Sequence, residues 1–147
     1  MLRSNLPAEE RLYLALSGCY AHIHKMTERV LAPVGVTVSE YALLRVLENT
    51  PGITAAEAKE RILATAPSVA QFVAQLESKK LIKRTPDAND ARRLRLSLTQ
   101  KGRVAVGEAR KAITQNLRKL PVSGKQVEHT AASLSSLLTS LSLYGNK

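Results

Sequence analysis

Residues 81–99 read Leu81-Ile82-Lys83-Arg84-Thr85, then Pro86-Asp87-Ala88-Asn89-Asp90, then Ala91-Arg92-Arg93-Leu94-Arg95-Leu96-Ser97-Leu98-Thr99. The first five favour a strand, and the next five collect residues that tolerate turn geometry. From Arg92 to Thr99 the period is two, with Leu94, Leu96 and Leu98 on one face and Arg93, Arg95 and Ser97 on the other. The spacing predicts a hairpin with one apolar and one basic face.

Upstream, the period becomes helical. Thr37-Val38-Ser39-Glu40 is a capping box, with Val36 and Tyr41 placed as its hydrophobic staple, and predicts a short helix to about Asn49, broken by Pro51-Gly52. Thr54-Ala55-Ala56-Glu57 is a second box and predicts a helix stopping near Ala64. A third helix should run from about Pro67 to Lys80. Its Val69, Phe72, Val73 and Leu76 form a buried stripe, and Ser68, Gln71, Gln75 and Ser78 form an outer face of hydroxyls and amides. Such groups donate to and accept from base edges. Helices separated by tight breaks and followed by a basic hairpin make a winged helix-turn-helix.

Long helices flank this region. From about Pro7 to Ala32, the residues Leu12, Leu16, Cys19, Ile23, Met26 and Val30 recur at alternating four and three. Asn5 and Pro7 open that helix, and Pro33 with Gly35 ends it. Another helix should span Thr99 to about Leu120. Ser123-Gly124-Lys125-Gln126 caps a last one carrying Val127, Ala131, Leu134, Leu138 and Leu141. The expected fold is mainly α with a small β-hairpin wing. It is a single domain over 1–147, with a DNA-binding region at 37–99 and seam-bearing helices at 5–33 and 100–144.

The chain of 147 residues carries a formal net charge of +10. Nine cations (Lys79, Lys80, Lys83, Arg84, Arg92, Arg93, Arg95, Lys101, Arg103) and two acids (Asp87, Asp90) between Lys79 and Arg103 hold +7 of it. Charge so concentrated points to a polyanion. Aromatic content of 3%, with no Trp, disfavours the stacking platforms of single-strand binders and favours duplex. One cysteine rules out an internal disulfide framework and fits a reducing compartment. No secretory leader pattern and no apolar run of about 20 residues is visible. A cytoplasmic protein without membrane contact is the expectation. No phosphate loop, metalloprotease motif or nucleophile elbow is present, so no catalytic residue, metal ligand or cofactor is expected.

With these elements in order, the sequence resembles the MarR family of bacterial transcription regulators. The likeness is sharpest in Leu76-Glu77-Ser78-Lys79-Lys80-Leu81-Ile82-Lys83-Arg84, in Asp87-Ala88-Asn89-Asp90-Ala91-Arg92 and in Leu98-Thr99-Gln100-Lys101-Gly102. Two positions depart from the family pattern: Lys80 replaces its usual Gly, and Gln71 its usual basic residue. The resemblance implies a homodimer with intertwined terminal helices. Each winged helix would enter a major groove and each wing the adjacent minor groove, with a ligand-responsive repressor as the function. It further implies that Arg92 reaches the minor groove while Asp90 fixes the wing by a salt bridge.

The DNA-binding candidates are thus Ser68, Gln71, Gln75, Arg84, Asp90, Arg92, Arg93 and Arg95. For Arg93 and Arg95, phosphate contacts and solvated strand positions stay equally open. Tyr13, His24, Tyr41 and Arg45 are candidates for a crevice holding a small phenolic or aromatic effector. Cys19 packs as a small hydrophobe or senses oxidants, and the surroundings that sensing members of the family use are not reproduced here. His22 and His24, two apart on a helix, diverge too far to share a metal. The rival readings are a winged-helix protein-interaction module and a non-specific architectural DNA binder.

Overall fold

The computed structural model describes residues 5–62 and 64–144, and of Tyr144 only the backbone. The limits 1 and 147 of the expected domain lie outside the described residues. The element order is α1 (Ala8–Leu31), a 3-10 turn (Ala32–Val34), α2 (Val38–Asn49), β1 (Ile53–Thr54), α3 (Ala55–Ile62), α4 (Ala66–Ser78), β2 (Ile82–Pro86), β3 (Leu94–Leu98), α5 (Gln100–Leu117) and α6 (Gly124–Tyr144). The chain divides into two compact units, one ending at Gln115 and the other beginning at Asn116.

The local signals act as expected. Thr37 Oγ1 accepts from the Glu40 amide while the Glu40 carboxylate accepts from the Thr37 amide, so α2 opens on a reciprocal box. Thr54 and Glu57 do the same for α3. Thr65 caps α4 by accepting from the Ser68 amide, with Pro67 in the first turn where a missing donor is harmless.

The core lies in the first unit. Leu43, Leu44 and Leu47 of α2 meet Val69, Val73 and Leu76 of α4, Leu96 and Leu98 of β3, and Val106 and Ala109 of α5. The sheet has the order β1-β3-β2, all antiparallel. Ile82 pairs with Leu98, Arg84 with Leu96 and Pro86 with Leu94. The expected hairpin is therefore present, but β3 starts at Leu94 and leaves Arg92 and Arg93 in the turn. Of the three leucines on its apolar face, Leu96 and Leu98 are buried and Leu94 is exposed, because it pairs at the outer end of the ribbon. The third strand, β1, was not expected. At two residues it is too short to show a period, and it forms because Ile53 and Thr54 pair with Leu96 and Arg95.

The long seams stay largely uncovered within this chain. On α1, Leu12, Cys19 and Ile23 are exposed and Leu16, Met26 and Val30 half-buried. On α6, Val127, Ala131, Leu134, Leu138 and Leu141 are all exposed. No single helix among the described residues is long and apolar enough to cross a membrane.

Candidate nucleic-acid interface

Helix α4 is the second helix of the helix-turn-helix. Its outer residues Gln71, Gln75 and Ser78 are exposed. Ser68 is half-buried, and its hydroxyl lies 2.8 Å from Thr65 Oγ1. Its side chain is thus part of the helix cap, and Gln71 and Gln75 are the freest groups on this face. Ser78 Oγ donates back to the Gln75 carbonyl.

The end of α4 decides how the wing leaves it. The Lys80 amide donates to the Glu77 carbonyl at 2.8 Å and the Leu81 amide to the Leu76 carbonyl at 2.9 Å. These two bonds form a Schellman motif, which needs a left-handed residue between them. Lys80 takes that role at φ 60°, where a glycine would sit without strain. The chain therefore makes the turn that the resemblance expects from Gly, using a residue less suited to it.

The wing tip is organised by two carboxylates with different tasks. Asp90 Oδ1 accepts from the backbone amide of Arg92 at 3.0 Å, and its carbonyl accepts from the Arg93 amide at 2.9 Å. The expected salt bridge to the Arg92 guanidinium does not form; Asp90 holds the turn through the backbone instead. Asp87, which is not among the expected site residues, is buried and paired with Arg95. Its other oxygen accepts from the Asn89 amide at 2.8 Å. The Asn89 amide first, and the Arg95 guanidinium second, hold the Asp87 carboxyl below its ordinary range.

These partners sort the basic cluster. Arg95 is held by Asp87 and also donates to the Gly52 carbonyl at 2.8 Å, tying the wing to the turn before β1. That engages a residue expected to face phosphates or solvent. Arg84 pairs with Glu77 of α4 at 2.8 Å, and Lys79 pairs with Glu40 of α2. Three of the nine cations thus sit on carboxylates, two of which, Glu40 and Glu77, lie outside the segment. Arg92 and Arg93 are exposed and make no ion pair among the described residues. Two signals could have marked Asp87: its place at the head of the Asp87–Arg92 motif and its apposition to Arg95 across the turn.

The expected effector residues separate. Tyr41 and Arg45 are half-buried on α2. Arg45 and Arg110 of α5 both bond Glu48, and Glu48 raises the Arg110 pKa further. Tyr13 is exposed on α1, and His24 lies against Tyr20 with its Nε2 3.9 Å from Glu28. No hydrogen bond or ion pair among the described residues joins Tyr13 or His24 of α1 to Tyr41 or Arg45 of α2.

A family model described as the MarR family matches residues 34–93, from the 3-10 turn through the wing tip. Over this segment the winged helix of this chain is similar to the MarR family. Among relatives, the transcriptional regulator HosA of Escherichia coli is 31% identical over 74 residues, 50% of this chain and 55% of that one. An HTH-type transcriptional repressor of Mycobacterium tuberculosis is 29% identical over 79 residues, 54% of this chain and 57% of that one. The chain spans about half the length of these relatives. The transcriptional repressor CouR bound to a 23-mer DNA duplex superposes with a TM-score of 0.78 at 24% identity, covering 95% of this chain and 99% of that one. CouR from Rhodococcus jostii bound to p-coumaroyl-CoA gives 0.74 at 20% identity, over 86% of this chain and 90% of that one. A MarR-family regulator from Rhodococcus sp. gives 0.81 at 18% identity, over 90% and 96%. At these identities the superpositions establish the fold.

Proposed function

We propose that this protein is a ligand-responsive transcriptional repressor of the cytoplasm that binds a palindromic operator in double-stranded DNA as a homodimer. The observation that carries the reading is the division among the wing cations. Arg84 and Arg95 are paired inside the fold, while Arg92 and Arg93 stand exposed on a turn braced by Asp90. A tip with unpaired arginines suits a narrow minor groove, whose potential attracts them. The exposed amides of Gln71 and Gln75 suit the major groove, where an amide pairs with adenine. The names of the relatives agree with this reading, and so does the duplex bound to CouR.

The homodimer explains the seams. Apolar side chains at heptad-like spacing on α1 and α6 are exposed in one chain and would be covered by a second. Leu138→Asp on α6 should lower the mass seen by light scattering towards one chain. The proposed effector is a small phenolic or aromatic compound, with Tyr41 and Arg45 beside the Glu48–Arg110 pair as its nearest candidates and Tyr13 and His24 as candidates on α1. That CouR holds an aromatic acyl thioester, p-coumaroyl-CoA, supports this class.

Selection of bound duplexes from a random library tests the proposal. The winner should bind about a thousandfold more tightly than random duplex. Its log affinity should fall against log salt with a slope of about −5 to −9, and phenolic ligands should release it. Equal affinity for all duplexes would leave the architectural reading, and a slope near zero the protein-interaction reading.

A further inference from the structure

Lys79 follows the last residue of α4 and is one of the nine cations of the basic segment. Its ammonium is engaged within the fold. Its Nζ donates to Glu40 Oε1 at 2.7 Å, to Glu40 Oε2 at 2.8 Å and to the Gly35 carbonyl at 2.9 Å. An ammonium has three donors, and all three are used. Glu40 is fully buried, and its Oε2 also accepts from the Thr37 amide at 2.7 Å. The Lys79 carbonyl in turn accepts from Lys101 Nζ at 3.0 Å. One residue therefore ties the end of α4 to the turn after α1, the first turn of α2 and the start of α5.

We infer that the Lys79–Glu40 ion pair is a positioning joint that sets the angle of α4 for base readout, and that Lys79 is no part of the phosphate-binding surface. The inference rests on the proposed DNA-binding function and adds to it how selectivity is built. Electrostatic attachment to a duplex tolerates a loosely held helix, because it depends on charge and not on alignment. Bidentate pairing of an amide with a base does not, since such constellations work within about half an ångström and 10–20°. The joint is placed where it would matter. It grips the C-terminal end of α4, while the Thr65 cap holds the other end only within its own helix. The left-handed Lys80 follows immediately, so a shift at residue 79 would also swing the wing.

The variants must avoid stranding a buried carboxylate, because Lys79→Met alone leaves Glu40 charged without a partner. The double variant Glu40→Gln/Lys79→Met removes both charges and keeps a glutamine that still serves the capping box. Affinity for the selected duplex and for random duplex is measured against salt in the parent and the variant, with thermal melts alongside. The expected result is a loss of about tenfold or more in preference for the selected duplex. Affinity for random duplex should stay within about twofold, with the salt slope unchanged. Single Glu40→Gln, which keeps the lysine, should show the same loss of preference in smaller degree. Equal weakening on both duplexes, with the slope lessened by about one unit per protomer, would overturn the inference and make Lys79 a phosphate contact. A lowered melting temperature with preference intact would overturn it too, leaving an ordinary fold-stabilising pair. A parent without any preference would remove the proposed function, and the joint with it.

Discussion

Asp90 Oδ1 holds the backbone amide of Arg92 at 3.0 Å, and the two side chains form no ion pair. A carboxylate is thus placed among cations to shape a turn and not to neutralise one. Arg92→Ala should weaken binding to all duplexes and lessen the salt slope by about one unit per protomer. Asp90→Ala should weaken binding as well, although it removes a negative charge. Asp90→Asn separates shape from charge: the amide oxygen still accepts from Arg92, so binding should be at least as tight as in the parent. Tighter binding by Asp90→Ala in a duplex titration would make Asp90 a bystander. Gln71→Ala, removing no charge, should leave the slope unchanged and relax preference at one or two positions per half-site.

Gly102 and Gly107 lie on the same helix and should respond in opposite ways to alanine. A Cβ at Gly102 would stand 1.9 Å from the Leu81 carbonyl oxygen. That oxygen accepts from the Thr99 amide at 3.0 Å and Thr99 Oγ1 at 3.1 Å, which together seat α5 against the wing. Gly102→Ala should cost about 3 kcal/mol in denaturant unfolding. A Cβ at Gly107 meets nothing, and Gly107→Ala should gain about 0.5–1 kcal/mol from helix propensity.

Lys80→Gly should stabilise the protein. The position sits at φ 60° and is exposed, so the backbone carries strain that no side-chain hydrogen bond or ion pair of Lys80 among the described residues offsets. The gain, less the greater freedom of glycine when unfolded, should be about 0.5–1 kcal/mol, or roughly 2 °C in thermal midpoint. An unchanged or lower midpoint would contradict the Schellman reading.

Acid should act on the wing through Asp87. Its carboxyl is held below the ordinary value, as is that of Glu57 by the Thr54 amide and hydroxyl. A carboxyl lowered on folding adds stability that is complete above its unfolded pKa of about 4 and lost as pH falls through the folded value. Asp87→Asn should therefore be less stable than the parent at pH 7, with the difference shrinking below about pH 4. A difference independent of pH would show that Asp87 acts by packing alone.

By itself the sequence determined the helices, their caps, the hairpin and the outer face of α4. Each of these depends on residues within one or two turns of each other, as with Thr37 and Glu40, or Thr54 and Glu57. Repeating apolar positions likewise announced which faces needed cover, although the same pattern overstated Leu94 and could not register β1. Only the tertiary structure decided which cations remain free. Lys79 meets Glu40 from 39 positions away, and Arg95 meets Asp87 across a turn and Gly52 from 43 positions away. A count of charges along the chain cannot tell a lysine with three acceptors from one in solvent. The difference lies in distances of about 3 Å between atoms that only a folded backbone brings together.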